Sequence, residues 1–169
     1  LAYKDYMTGG GNRLAFEIDL EDVFSDDTRL QNTGLIYFDV DGMKKINDEL
    51  GHIKGDEAII FAYNSISEIF SKNGRCYRIG GDEFAALVTF EDESIDKKIE
   101  NLIEEFEIKL QNSKYKIDIS PDISVGGVRY DPKLDKDPKS MMARADKVMY
   151  LNKTKNRKKV NFENEKTKI

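Results

Sequence analysis

The stretch RIGGDEFAALVTF, residues 78–90, makes the chain double back on itself. Two strand-like apolar pieces, Tyr77-Arg78-Ile79 and Phe84-Ala85-Ala86-Leu87-Val88, flank a pair of glycines. That spacing predicts an antiparallel hairpin turning at Gly80-Gly81, where glycine suits the positive backbone dihedrals of a tight turn. The turn also carries Asp82 and Glu83 side by side, and adjacent carboxylates repel. One reading leaves both acids standing in water, as turn acids usually do. The other makes them half of a cation site.

Around the hairpin, apolar periodicity sorts the chain into further elements. Asn12 is placed to cap a helix that buries Phe16, Leu20 and Val23. A polar stretch, residues 25–33, leads into the buried-type strand Gly34-Leu35-Ile36-Tyr37-Phe38, which ends in Asp39-Val40-Asp41. A helix from Gly42 to Leu50 has Met43, Ile46 and Leu50 as its core face, and Gly51 stops it. A second helix, starting near Asp56, keeps Ile59, Tyr63, Ile66 and Phe70 in register. After the hairpin, Ile95, Ile99, Leu102, Phe106 and Leu110 mark another helix with acids on its outer face. Strands are expected over Lys114–Ser120 and Ile123–Tyr130. A last helix over residues 138–155 places Met142, Ala145 and Met149 on one face, and the polar tail 161–169 is expected to be disordered. The sum is an α/β (α+β) fold: a central, mostly antiparallel sheet with helices on both faces.

Composition narrows the function. With 169 residues the chain suits one domain, and its net charge of −5 argues against a surface that coats nucleic acid. No run approaches the roughly 20 apolar residues of a membrane span, so no membrane contact is expected from this stretch. The single cysteine, Cys76, excludes an internal disulfide and a cysteine metal site and suits a reducing cytoplasm; it reads as a small buried apolar residue. The chain opens on Leu1, which suggests a fragment of a longer signalling protein, with an upstream sensor or membrane anchor. Neither GxxxxGK[ST] nor GxGxxG after a strand occurs.

A carboxylate closing an apolar strand sits at the rim of the core, partly desolvated, where a cation is its natural partner. Asp39 is such a residue. If its strand lies beside the hairpin, Asp39 meets Asp82 and Glu83, and three hard oxygen donors suit magnesium far better than zinc. On the next helix, Lys44, Asn47 and Asp48 share a polar face. Asp56 has two readings, helix cap or guanine reader, since a carboxylate accepts from the N1 and N2 donors of guanine while an amide such as Asn47 donates and accepts. His52, the only histidine, reads as a loop residue on general grounds. Lys153 to Lys159 carries five bases in seven, suited either to a helix end or to phosphate.

RIGGDEF with FDVDGMKKINDELGHIKGDEA upstream strongly resembles the GGDEF domain of diguanylate cyclases, and the likeness extends through DYMTGGGNRLAF, DISVGG and ADKVMYLNKTKNRKKV. It spans residues 1–160. The resemblance implies a fold similar to the nucleotidyl cyclase and polymerase palm, and condensation of two GTP into cyclic di-GMP with release of two pyrophosphates. Magnesium, or manganese in its place, would bind as two ions per active site through Asp39, Asp82, Glu83 and the carbonyl of Val40. Asp82 or Glu83 would take the proton of the attacking 3′-hydroxyl. Lys44 would stabilise the transition state, Asn47 and Asp56 read guanine, and His52 touch substrate. Gly80 and Gly81 would let phosphates approach bare backbone, with Lys153 and Arg157 binding them. Two such domains face each other in these enzymes, so the resemblance implies a homodimer, and an upstream sensor domain as its control.

The chain departs from the family pattern in three places. The inhibitory RxxD motif is replaced by Ser71-Lys72-Asn73-Gly74, so product inhibition there is not expected. TGGGNR stands for TGLxNR, and Gly10 is expected to loosen the opening segment. Asn156 and Lys158 replace the usual Gly and Asn. Two other functions stay open: a catalytically weak or inactive GGDEF module that binds GTP and regulates or dimerises, and a two-metal cyclase using another base.

Overall fold

The computed structural model describes the backbone of residues 2–92, 94–113 and 120–167, and the side chains of those up to residue 155. Its elements run in chain order as α1 (Arg13–Phe24), α2 (Asp27–Leu30), β1 (Thr33–Val40), α3 (Met43–Leu50), α4 (His52–Phe70), β2 (Gly74–Arg78), β3 (Glu83–Thr89), α5 (Ile95–Ser113), β4 (Ile123–Arg129) and α6 (Pro138–Thr167). The four strands form one sheet in the order β2-β3-β1-β4, with every neighbouring pair antiparallel. The apolar run of β1 is therefore central and buried from both sides.

Alternation along the strands feeds two cores. Ile36, Phe38 and Val40 of β1 join Phe84, Ala86 and Val88 of β3 under α4 and α5, where Ile66, Phe70 and Phe106 are fully buried. Leu35 and Tyr37 join Ala85 and Leu87 on the opposite face, beneath α1 and α6. Phe38, Phe70 and Phe106 meet edge-on, with ring centroids 5.1–5.9 Å apart. Each such ring or aliphatic side chain contributes about 1.5–3 kcal/mol through burial. Helices on both faces of an antiparallel sheet are what the sequence implies.

Local signals carry some of this. Asn12 caps α1, its Oδ1 accepting from Ala15 N at 2.9 Å. Cys76 lies buried in β2, where loss of hydration pushes its thiol up to about 12, leaving it a neutral apolar filler.

Other expectations need correction. α4 begins at His52, not near Asp56: Gly51 enters it with φ +87°, without a side-chain cap, and Asp56 lies a full turn inside. Leu50 is 55% exposed, because α3 forms an outer layer over α4 that buries no residue fully. The polar stretch after α1 contains α2, pinned by buried Leu30. The buried stripe of α6 is Met141, Ala145 and Met149, with Met142 half-buried beside it. α6 also continues to Thr167, so the backbone of residues 161–167 is helical where the sequence reading has a disordered tail. Of the strand expected over Lys114–Ser120, residues 114–119 lie outside those described.

Candidate active site

Because β1 and β3 run antiparallel, the C-terminal end of β1 meets the start of β3, and Asp39 pairs in register with Glu83. The amide of Val40 donates to the carbonyl of Asp82 at 2.9 Å, which ties the acid-bearing turn to the strand end. Asp39, Val40, Asp82 and Glu83 thus share one edge of the sheet, as the sequence suggests. The turn itself differs from expectation. Neither Gly80 nor Gly81 has positive φ; among the described residues only Gly9, Gly42 and Gly51 do. Gly80 instead makes room for an acid, since a Cβ there would lie 2.9 Å from Glu83 Oε2. A Cβ on Gly81 would meet nothing within 4 Å, so the protein's own packing does not demand glycine at that position.

The charges are arranged unevenly. Lys153 of α6 donates to Asp39 Oδ2 at 2.6 Å and lies 3.4 Å from Asp41 Oδ1, while Ser124 donates to Asp41 Oδ2 at 2.8 Å. Asp39 Oδ1 and Asp41 Oδ1 are buried and accept no hydrogen bond from the described residues. Burial raises the Asp41 carboxyl above its ordinary value, outweighing Ser124 and Lys153. Burial works against the charge of Lys153, yet its hydrogen bond to Asp39 and the charges of both acids hold its ammonium above the usual value. Lys153, expected on phosphate, thus rests on Asp39. Among the described residues no three acid, histidine or cysteine side chains gather into a ready cation cluster. The orphaned oxygen of Asp39, beside a turn bearing two more carboxylates, nonetheless fits a hard divalent ion.

Glu83 shows the cost of this crowding. Burial first, then the charges of Asp39, Asp82 and Asp146, raise its carboxyl above the ordinary value of 4.5, with Arg13 partly opposing. A carboxyl raised in the folded state weighs against folding once pH exceeds its unfolded value, and does so fully above its folded value. Glu83→Gln is therefore expected to melt at a higher temperature than the wild type at neutral pH in chelator, the gap closing as pH falls through the raised value towards 4.5 and gone below it. Equal melting curves at neutral pH would show that the crowding costs nothing.

A cavity of about 280 Å³ adjoins the turn. Asn47, His52, Asp56, Gly81 and Asp82 all line it, so five residues singled out in the sequence converge. His52 is the exposed first residue of α4 and belongs to the cavity wall. Lys44 is exposed on the first turn of α3 and is not part of that lining. The side chain of Arg157 lies outside the described residues.

Among the participants that escaped the sequence reading, three bear on the shape of the site. Met43 and Gly55 complete part of the wall, and Arg78 brackets the turn, donating to the Gly81 carbonyl at 2.8 and 3.2 Å and pairing with Asp5 at 3.4 Å. The arginine opening RIGGDEF was the available signal.

The opening segment is not loosened by Gly10. A Cβ there would overlap the Tyr63 ring, which fills the space, and Asp5 N to Gly10 O (2.8 Å) and Arg78 N to Gly11 O (2.8 Å) tie the segment down. A second cavity, about 380 Å³, opens beside it and reaches Ser71 and Gly74 but none of the candidate active-site residues.

The sequence profile described as "Diguanylate cyclase, GGDEF domain" matches residues 2–159. The chain belongs to the GGDEF-domain family. It is 32% identical over 165 residues to diguanylate cyclase DgcP of Escherichia coli, covering 95% of this chain and 47% of that protein. It is 31% identical over 173 residues to YhcK of Bacillus subtilis, an uncharacterized protein, covering 98% of this chain and 46% of the relative. It thus spans about half the length of these curated relatives. The GGDEF domain of DgcB from Caulobacter crescentus, solved in complex with c-di-GMP, superposes with a TM-score of 0.77 at 26% identity, covering 91% of each chain. Its GGDEF likeness includes the cyclase-like palm fold. No described helix is long and apolar enough to cross a membrane.

Proposed function

We propose that this GGDEF domain is a diguanylate cyclase that condenses two GTP into cyclic di-GMP and releases two pyrophosphates. The observation that carries the reading is Asp39: among the described residues nothing hydrogen-bonds its buried Oδ1, it pairs in register with Glu83, and the adjoining Asp82 lines a cavity with Asn47 and Asp56. Among the described residues nothing satisfies that oxygen, and a bound cation is one way such a buried acceptor is completed.

Asp39, Asp82, Glu83 and the Val40 carbonyl would hold two magnesium or manganese ions. Bound there, such ions supply charge neutralisation at the α-phosphate and a lower pKa for the attacking hydroxyl. The chain's own residues do the rest. Asp56, freed from any capping role by the early start of α4, accepts from the guanine N1 and N2 donors, and Asn47 adds an amide. His52 closes the wall of the base site. Gly81, with open space where a Cβ would stand, lets phosphates approach the turn. Glu83, its proton affinity raised by burial and by its acidic neighbours, or Asp82, accepts the proton as the 3′-oxygen bonds to the α-phosphorus of the facing nucleotide and pyrophosphate leaves. Lys44, exposed and able to reach outward, steadies the developing charge, while Lys153 and Arg157 take phosphate. Two copies must meet face to face, since one domain holds one nucleotide; in the longer protein, an upstream sensor would control that meeting on the cytoplasmic side, with or without a membrane anchor.

The test is direct. Purified protein at high concentration, incubated with GTP and magnesium, is expected to give cyclic di-GMP by mass spectrometry, with a rate per chain that rises with protein concentration. GTP binding without product would favour the regulatory module, and a different cyclic nucleotide the variant cyclase.

A further inference from the structure

Gly55 is the fourth residue of α4, buried, and not in a positive-φ conformation. Glycine is among the poorest residues in a helix interior and alanine the best, so the helix itself gains nothing from it. The backbone around it leaves room as well: the nearest atoms a Cβ would meet all belong to side chains on α3. It would overlap Asn47 Oδ1, lie 3.0 Å from Asn47 Cγ and 3.5 Å from Met43 Cε. Both Asn47 and Gly55 line the cavity that Asp56, the next residue, also lines.

The obstacle is the end of a flexible side chain, which a methyl group would displace by rotation of the amide rather than by moving a helix. We propose that Gly55 is a positioning residue for base recognition: its missing Cβ fixes the Asn47 amide in the cavity beside the Asp56 carboxylate, and so sets the preference for guanine. The inference rests on the guanine reading of the cavity. The Asn47 amide lies against the bare α4 surface at Gly55, and from there it lines the same cavity as the Asp56 carboxylate. Adenine presents a different edge, with an amino donor where guanine has a carbonyl, and gains nothing from the pairing with Asp56.

The experiment measures calorimetric binding of non-hydrolysable GTP and ATP analogues, with magnesium, to the wild-type chain, Gly55→Ala, Asn47→Ala and the double variant, with thermal melts of each. Gly55→Ala is expected to melt at or above the wild-type temperature, to bind the GTP analogue roughly tenfold more weakly through the lost hydrogen bonding, and to bind the ATP analogue unchanged. The double variant is expected to bind no more weakly than Asn47→Ala, because without the amide there is nothing to displace. A wild-type chain that takes both analogues equally would overturn the guanine reading, and this inference with it. A wild type that discriminates while Gly55→Ala discriminates just as well would overturn the inference alone. So would a Gly55→Ala chain that melts lower and loses both analogues in parallel, or losses in the double variant that multiply.

Discussion

Asparagine in place of Asp39 is expected to cut cyclic di-GMP formation at saturating GTP by roughly a thousandfold, since ion-borne charge stabilisation at a reacting phosphate is worth several kcal/mol. The change keeps the shape of the side chain and an acceptor at its tip but removes the charge. The fold should survive it. Lys153 keeps Asp41 as a partner 3.4 Å away, and β1 is held by main-chain pairing with β3 and β4 on either side. The measurement is twofold: turnover, and binding of Mn²⁺ alone followed by electron paramagnetic resonance. Both should fall while the melting temperature stays within a few degrees. Turnover within about tenfold of wild type would remove Asp39 from the metal assignment; lost turnover with undiminished Mn²⁺ binding would give it another role.

The convergence of Asp39 with Asp82 and Glu83 was legible because a hairpin and one preceding strand leave few ways to pair. The continuous apolar runs Phe84–Val88 and Gly34–Phe38, buried on both faces, fix which strands are central, and an antiparallel register then brings an acid at the end of one strand against an acid at the start of the next. The helix faces were legible for α4 and α5 because a single apolar stripe packs on a sheet. α3 was not, since Met43, Ile46 and Leu50 have a core-like spacing yet lie over another helix instead of over the sheet. The start of α4 escaped because Gly51 enters it through a positive φ and leaves no side-chain cap in the sequence to read. The hold of Lys153 on Asp39 joins residues 114 positions apart, a contact that only the packing of α6 against the sheet creates. Local periodicity carries no record of it.

The second large effect is on stability. Asp135→Ala is expected to cost about 3–5 kcal/mol, because it strips the partner from a partly buried guanidinium. Asp135 has no exposed side-chain surface and takes two hydrogen bonds from Arg144, at 2.9 and 2.6 Å, and one from the amide of Asp131 at 2.8 Å. Those bonds raise the Arg144 guanidinium further above its usual value, and Arg144 in turn donates to the carbonyl of Arg129 at the end of β4. The cluster therefore stitches β4 to the start of α6. Asp137, which caps α6 by accepting from Ser140 N at 2.8 Å in the open, provides the comparison: Asp137→Ala should cost about 1 kcal/mol. For a domain of this size the buried change should lower the melting temperature by about 10 °C and the exposed one by about 3 °C. Below its melting range, Asp135→Ala should still turn over GTP. Asn152 donates to the Val125 carbonyl at 2.8 Å and anchors α6 to the sheet one residue before Lys153, so the Lys153 end of the helix has its own attachment. Loss of turnover at temperatures where the variant is fully folded would mean that the two ends of α6 are mechanically coupled and that Asn152 does not hold the active-site end by itself.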